Sequence, residues 1–223
     1  MANAHFHGLS TPGRGLEHDL SLTKWFGEVP ESRIQARVYD ILEQEFSPED
    51  WEAVALLEYM ELARQGVTLV FDGGTLEGTL PAQKKALETL GIRGVLDAYG
   101  ELPVFAGQDS ELVTFAGHLL EEEDFSEENL TQVQDQVRQY PERIFGAHCL
   151  ETRYRRELAE KFGGKATPVL LEERGLLSSR SVLYHCVHAA AEDWDVIASS
   201  GAGVVHNPVS NLYTGTGIMD LSA

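Results

Sequence analysis

The chain is poor in several things that would each point to a particular function. It has two cysteines in 223 residues, Cys149 and Cys186, too few for a disulfide framework, which makes a reducing cytoplasm the expected compartment. No apolar run approaches the ~20 residues of a membrane span, and no charged-then-apolar leader opens the chain, so neither spanning nor secretion is expected. Positive charge is scarce: 17 Lys and Arg stand against 36 Asp and Glu, a formal net charge of -19. Nucleic acid and anionic membrane surfaces would be repelled by such a chain. The acidity itself reads as a solvated surface in preference to a cation trap. Low-complexity segments, internal repeats and Gly/Ser/Pro linkers are also missing, so a single domain over residues 1–223 is expected.

What is present alternates. Short β-rich runs recur at "ANAHFHG", Gly66–Asp72, Gly91–Gly100, Glu111–His118, Arg143–Glu151, Ser181–His188 and Gly203–Pro208. Helical stripes lie between them. One starts at Ser47, Pro48, Glu49 and Asp50, a cap with proline in the first turn, and carries Trp51, Ala55, Leu56, Tyr59, Leu62 and Ala63 along one face. Others are expected over Ala82–Leu90, Glu127–Tyr140, Thr152–Phe162, Pro168–Leu176 and Ala191–Ser199. Strands interleaved with helices predict a parallel sheet, either an open doubly wound sheet or a (β/α)8 barrel.

The histidines are not scattered at random along this pattern. His5 and His7 are two apart on the first strand, where residues i and i+2 share a face. His118, His148, His185 and His206 lie near the C-terminal ends of four further strands. In barrels and open α/β sheets alike, that is the end where sites are built. Singly, each histidine is explained as a hydrogen-bonded structural residue, and only the set suggests a metal centre. If His148 and His185 point inward, Cys149 and Cys186 point outward and serve as packing residues.

The segments "NAHFHG", "HCLET", "VLYHCVH" and "VVHNPVSNLYTGTGI" resemble, in that order, the metal-dependent amidohydrolase superfamily. The similarity is to its branch of aminohydrolases and chlorohydrolases of nucleobases, nucleosides and s-triazines. "DLSLTKWF" (Asp19–Phe26) is similar to that branch's first-loop segment, and "GIR" (Gly91–Arg93) to its third-strand start. The resemblance implies a (β/α)8 TIM-type barrel, here with about seven of the eight units and without the usual flanking β-sandwich. It implies one divalent metal, Zn²⁺ or Fe²⁺, held by His5, His7 and His148. Glu151 matches the proton-shuttling glutamate, and His185 the histidine that holds the attacking hydroxide or polarises the substrate. His118 takes the place of a substrate-contacting histidine, although "LLEEEDFS" after it departs from the branch's apolar-aromatic run. His206 reads as structural, and His18 and His188 receive no role.

The implied reaction is attack of a metal-bound hydroxide on an electron-poor ring carbon of a small heterocycle, displacing an amino or halide group. A cyclic amide hydrolase is the alternative within enzymes. "LVTFAGH" has no lysine to carboxylate as a bridge, which argues for one metal over two. The branch also places an aspartate at the end of an eighth strand. Asp220 does not match it by motif, so the resemblance implies a chain cut at both ends, and a catalytically incompetent fragment is the other alternative. The unpaired strand edges of seven units invite aggregation or pairing with another chain, and a homo-oligomer is expected.

Overall fold

A computed structural model describes residues 1–16, 20–25, 29–73, 76 and 78–221. It contains strands β1 (Ala2–Phe6), β2 (Leu69–Asp72), β3 (Arg93–Asp97), β4 (Val113–His118), β5 (Phe145–Cys149), β6 (Ser181–His185) and β7 (Gly203–Val205). The helices are α1 (Leu22–Trp25), α2 (Pro30–Glu45), α3 (Pro48–Arg64), α4 (Leu80–Leu90), α5 (Leu102–Phe105), α6 (Glu127–Gln139), α7 (Arg153–Gly163), α8 (Thr167–Glu173), α9 (Ala191–Ser200) and α10 (Pro208–Tyr213). Each strand lies beside its predecessor in the chain, in the order β1 to β7, and every pair is parallel. A doubly wound sheet reverses its strand order at a switch point. The uninterrupted order found here is that of the (β/α)8 barrel, with seven strands among the described residues.

Two compact units divide the chain: Met1–Leu20 with Lys24–Ala116, and Ser21–Thr23 with Gly117–Ala223. In the first, β1 to β3 and the opening of β4 pair with Ala2 opposite Leu69, Leu69 opposite Arg93 and Gly94 opposite Val113, and the register of β1 against β2 shifts between Asn3 and Phe6. Helix α3 begins on the capping box expected of Ser47 and Asp50: each side chain bonds the other's backbone N–H, satisfying two donors a helix start leaves orphaned. It buries Trp51, Ala55, Tyr59 and Leu62, while Ala63, expected on the same face, is exposed. Helix α4 buries Ala86 and Leu87, and Gly91 ends it in the left-handed conformation that glycine adopts without strain. Helix α2 has no counterpart among the sequence-based expectations.

In the second unit, β5 is buried at every residue, as a parallel strand covered on both faces must be. It pairs with β6 over its whole length, Phe145 opposite Ser181 through Cys149 opposite His185. Helices α6 and α7 start on Ser126 and Thr152, whose side chains accept from the backbone N–H groups of Asn129 and Arg155. Ala147, Leu183, Ala159 and Leu171 fill the core beside them. Every strand is shorter than its sequence-based range. Gly66, for example, has φ 83° and closes α3 instead of opening β2.

Candidate active site

In the first unit, His5 lies on β1 and His7 one residue past its end. Their Nε2 atoms stand 3.1 Å apart, with ring centroids at 4.7 Å and planes at 83°. Two nitrogens each about 2.1 Å from one Zn²⁺ at a tetrahedral angle are about 3.4 Å apart, so the pair suits a shared cation. The turn that follows is held from beneath by two buried carboxylates. Asp72, the last residue of β2, accepts from the N–H of Gly8 at 2.9 Å, from Tyr59 Oη at 2.7 Å and from Gln83 Nε2 at 3.1 Å. Glu58 on α3 accepts from the N–H groups of Leu9 and Thr11, at 2.5 and 2.7 Å. A Cβ at residue 8 would sit 2.2 Å from Asp72 Oδ2, so only glycine fits there. Burial, with the Asp72 charge adding, pushes the Tyr59 hydroxyl well above its ordinary pKa and keeps it a donor.

In the second unit, His118 ends β4, His148 lies on β5 with Glu151 just beyond it, and His185 ends β6. The rings of His148 and His185 stack with centroids 5.4 Å apart, and Tyr184 meets His148 edge-on at 5.5 Å. His185 Nδ1 lies 2.7 Å from Asn211 Oδ1 and 3.3 Å from Glu151 Oε1. His148 Nδ1 is hydrogen-bonded to Glu121 Oε1, and His118 Nε2 is 3.9 Å from the same oxygen. Arg155, from the first turn of α7, reaches Glu121 Oε2 at 2.9 Å, Glu123 Oε1 at 2.9 Å and Glu151 Oε2 at 3.6 Å. Leu150, His185 and Cys186 have positive φ, so the chain swerves at the ends of β5 and β6. Such backbone costs roughly 1–3 kcal/mol per residue and clusters at functional sites.

These groups have shifted acidities. Burial pushes Glu121 up, but His148, Arg155 and His118 outweigh it and hold the carboxyl well below its usual range. Glu151 moves the other way: burial raises it, with Glu121 and Glu122 adding, against His148 and Arg155. His185 is lowered to about 3 by burial, with His148 and Arg155 opposing its charge. It is therefore neutral at physiological pH, and with Nδ1 donating to the Asn211 oxygen its lone pair is on Nε2.

Cys149 and Cys186 are buried and free, in the packing role expected of them. His188 bonds the Thr216 carbonyl at 2.9 Å, a structural contact. His206 follows β7 and is half-buried. His18, with Asp19 and Phe26 of the first-loop segment, lies outside the described residues. Glu58, Asp72, Glu121, Arg155 and Asn211 were not legible as site residues. A signal existed for Asn211, the last residue of "HNPVSN", and for Asp72, an acid closing the apolar run "LVFD".

The sequence profile of the amidohydrolase family matches residues 1–223. Among curated relatives, a 5'-deoxyadenosine deaminase of Methanothrix thermoacetophila is 29% identical over 98% of this chain and 52% of its own length. A 5-methylthioadenosine/S-adenosylhomocysteine deaminase of Desulfitobacterium hafniense is 28% identical over 97% of this chain and 51% of its own. The chain thus spans about half the length of the curated relatives it matches. Among solved structures, a zinc-bound adenosine deaminase from Xanthomonas campestris shares the fold at TM-score 0.81 and 22% identity, over 98% of this chain and 51% of that one. The zinc complex of an atrazine chlorohydrolase from Arthrobacter aurescens does so at TM-score 0.83 and 19% identity, over 99% of this chain and 56% of that one. Among the described residues, no helix is long and apolar enough to cross a membrane.

Proposed function

Since the chain belongs to the amidohydrolase family, we propose that it is a metal-dependent hydrolase that removes an amino or halide group from a nucleoside-, nucleobase- or triazine-like heterocycle. The observation that carries this reading is the buried Glu151 beside His185 at 3.3 Å, three residues beyond His148. Deaminase relatives matched over almost the whole of this chain support it. Residues 1–223 act in this reading as one catalytic domain, in a reducing cytoplasm that leaves both thiols free.

The donor set fits a divalent metal: three imidazoles, two of them with Nε2 atoms 3.1 Å apart. His5, His7 and His148 would hold it, with Zn²⁺ preferred to Fe²⁺ because the zinc-bound solved structures share this fold. When bound, such a metal supplies acidity, lowering the pKa of water from 15.7 to about 7. This chain's residues do the rest. His185, neutral and tethered by Asn211, accepts a hydrogen bond from the attacking water through Nε2 and so aims it at the ring carbon. Glu151 takes the proton the water gives up. Its raised pKa, a consequence of burial, lets it pass that proton on to the departing nitrogen, which leaves as ammonia. His118 contacts the heterocycle from the end of β4.

The test is to load the purified chain with Zn²⁺ and assay adenosine-type nucleosides, purines, pyrimidines and chlorotriazines for ammonia or chloride release. Turnover that disappears with a chelator and returns with zinc is the expected result. A folded chain that takes up no metal, or releases neither product from any member of the panel, overturns the reading.

A further inference from the structure

Just past β4 the chain carries Glu121, Glu122, Glu123 and Asp124. A run of acids is ordinarily a solvated surface. Here the three glutamates are tied to the second unit by specific partners. Glu122, 3% exposed, accepts from the N–H of Leu150 at 2.8 Å and from Thr167 Oγ1 at 2.6 Å. Glu123 takes Arg155 Nε at 2.9 Å. Glu121 is the one that reaches the histidines, and we propose that it is a positioning residue: clamped by Arg155, its carboxylate holds His148 as the Nδ1–H tautomer with the Nε2 lone pair presented to the metal. This inference rests on the reading of His148 as a ligand.

The geometry supports the assignment at each link. A carboxylate whose Oε2 is engaged by a guanidinium accepts and does not donate, so the hydrogen bond to Oε1 must come from Nδ1–H of His148. Protonation at Nδ1 leaves the lone pair on Nε2. The two oxygens of Glu121 face different partners, so the carboxyl plane cannot rotate without losing one of them. Arg155 is itself fixed, because its backbone N–H caps on Thr152 Oγ1 at 3.0 Å and its guanidinium also reaches Glu123 and Glu151. Stacking on His185 and the edge contact with Tyr184 further restrict the swing of the His148 ring. A carboxylate bonded to the second nitrogen of a ligating histidine sets tautomer and ring orientation and raises ligand basicity. Arg155 thereby links the carboxylate that orients His148 to the one proposed to carry the proton.

Long-range ¹H–¹⁵N spectra of the metal-free full chain, with His148 assigned by comparison with His148→Gln, test this directly. The wild type is expected to show Nδ1 protonated and Nε2 bare at pH 7.5, and Glu121→Leu to lose that preference. Zinc affinity, measured by competition with a chromophoric chelator, should fall about 10- to 100-fold in Glu121→Leu. Thermal melts of the metal-free proteins verify that each variant is folded. If Glu121→Leu does not fold, Glu121→Gln takes its place. Its amide oxygen still accepts from Nδ1, so the tautomer should persist while zinc binds several-fold more weakly. An Nε2–H tautomer in the wild type overturns the inference, and so does unchanged zinc affinity in a folded variant. A wild type that binds no zinc overturns the functional reading instead, and the tautomer comparison between wild type and Glu121→Leu then decides the role of Glu121 alone.

Discussion

Nδ1 of His185, the last residue of β6, donates to Oδ1 of Asn211 on α10 across 2.7 Å. Asn211 is fully buried and lies 26 residues downstream, so a conspicuous sequence motif turns out to act by orienting a histidine from another element. Replacing Asn211 with Leu keeps the volume but removes the acceptor. The N–H of His185 then loses its acceptor at 2.7 Å, with Glu151 Oε1 at 3.3 Å. Stability should fall by about 1–3 kcal/mol in urea unfolding. In steady-state deamination kcat should drop further than KM rises if, as proposed, His185 aims the attacking water.

In the proposed mechanism Glu151→Gln separates proton transfer from metal binding. Glutamine fits the same space and still accepts a hydrogen bond, but it carries no proton from water to leaving group. Turnover should fall about 10²- to 10⁴-fold. Zinc content by mass spectrometry of the desalted protein should stay at the wild-type level, and a stoichiometric loss of zinc would make Glu151 a ligand.

Single substitutions His5→Ala and His7→Ala should behave alike, since their Nε2 atoms face each other at 3.1 Å. Each should weaken zinc binding by more than about 100-fold in chelator competition if the proposed three histidines hold the metal, since such a site cannot spare one. His7 is exposed, so its alanine variant should melt, free of metal, at the wild-type temperature.

Glu122 supplies a pH test away from the histidines. Burial raises its carboxyl above the ordinary value of 4.5, although Arg155, Thr167 and the Leu150 N–H pull the other way. The unfolded chain then loses this proton before the folded one does. Stability falls as pH rises above 4.5 until the folded group also ionises. Glutamine at 122 does not titrate and can still accept from Leu150 and Thr167. The stability of Glu122→Gln relative to wild type should therefore increase from pH 4 to pH 8 in urea midpoints. A difference that shrinks over that range would show the carboxylate to be stabilised by its partners.

Gly8→Ala should cost about 1–3 kcal/mol, since the new methyl meets Asp72 Oδ2 at 2.2 Å and the carboxylate is pinned by Tyr59 and Gln83. The displaced turn carries His7, so zinc affinity should fall with stability. Unchanged affinity in the folded variant would mean that Asp72 supports the fold and not the ligand.

Much of this was readable from residue order, and the reasons are local. Capping chemistry at Ser47 and Asp50 and the alternation of apolar runs act over a few neighbours, so α3, α6 and the seven strands were legible within a few residues. Helix α2 was not, even though Ile34, Val38 and Ile41 recur at helical spacing; Ile34 and Ile41 remain exposed. The strand-end histidines were legible because a strand's two-residue period and its C-terminal end are sequence properties.

The supports of the site were not legible, because they are set by distance across the fold. Glu121 and Arg155 are 34 residues apart and Leu9 and Glu58 are 49 apart, and nothing in either local sequence marks them as partners. "EEED" reads as a solvated surface until burial removes the water and Arg155 replaces it. By itself the sequence determined the parallel βα succession, the HxH pair and the HCLE and HNPVSN segments. Only the tertiary structure decided which carboxylates are buried, which nitrogen of each histidine faces them and where Asn211 points, because desolvation and long-range hydrogen bonds exist only once the chain has folded.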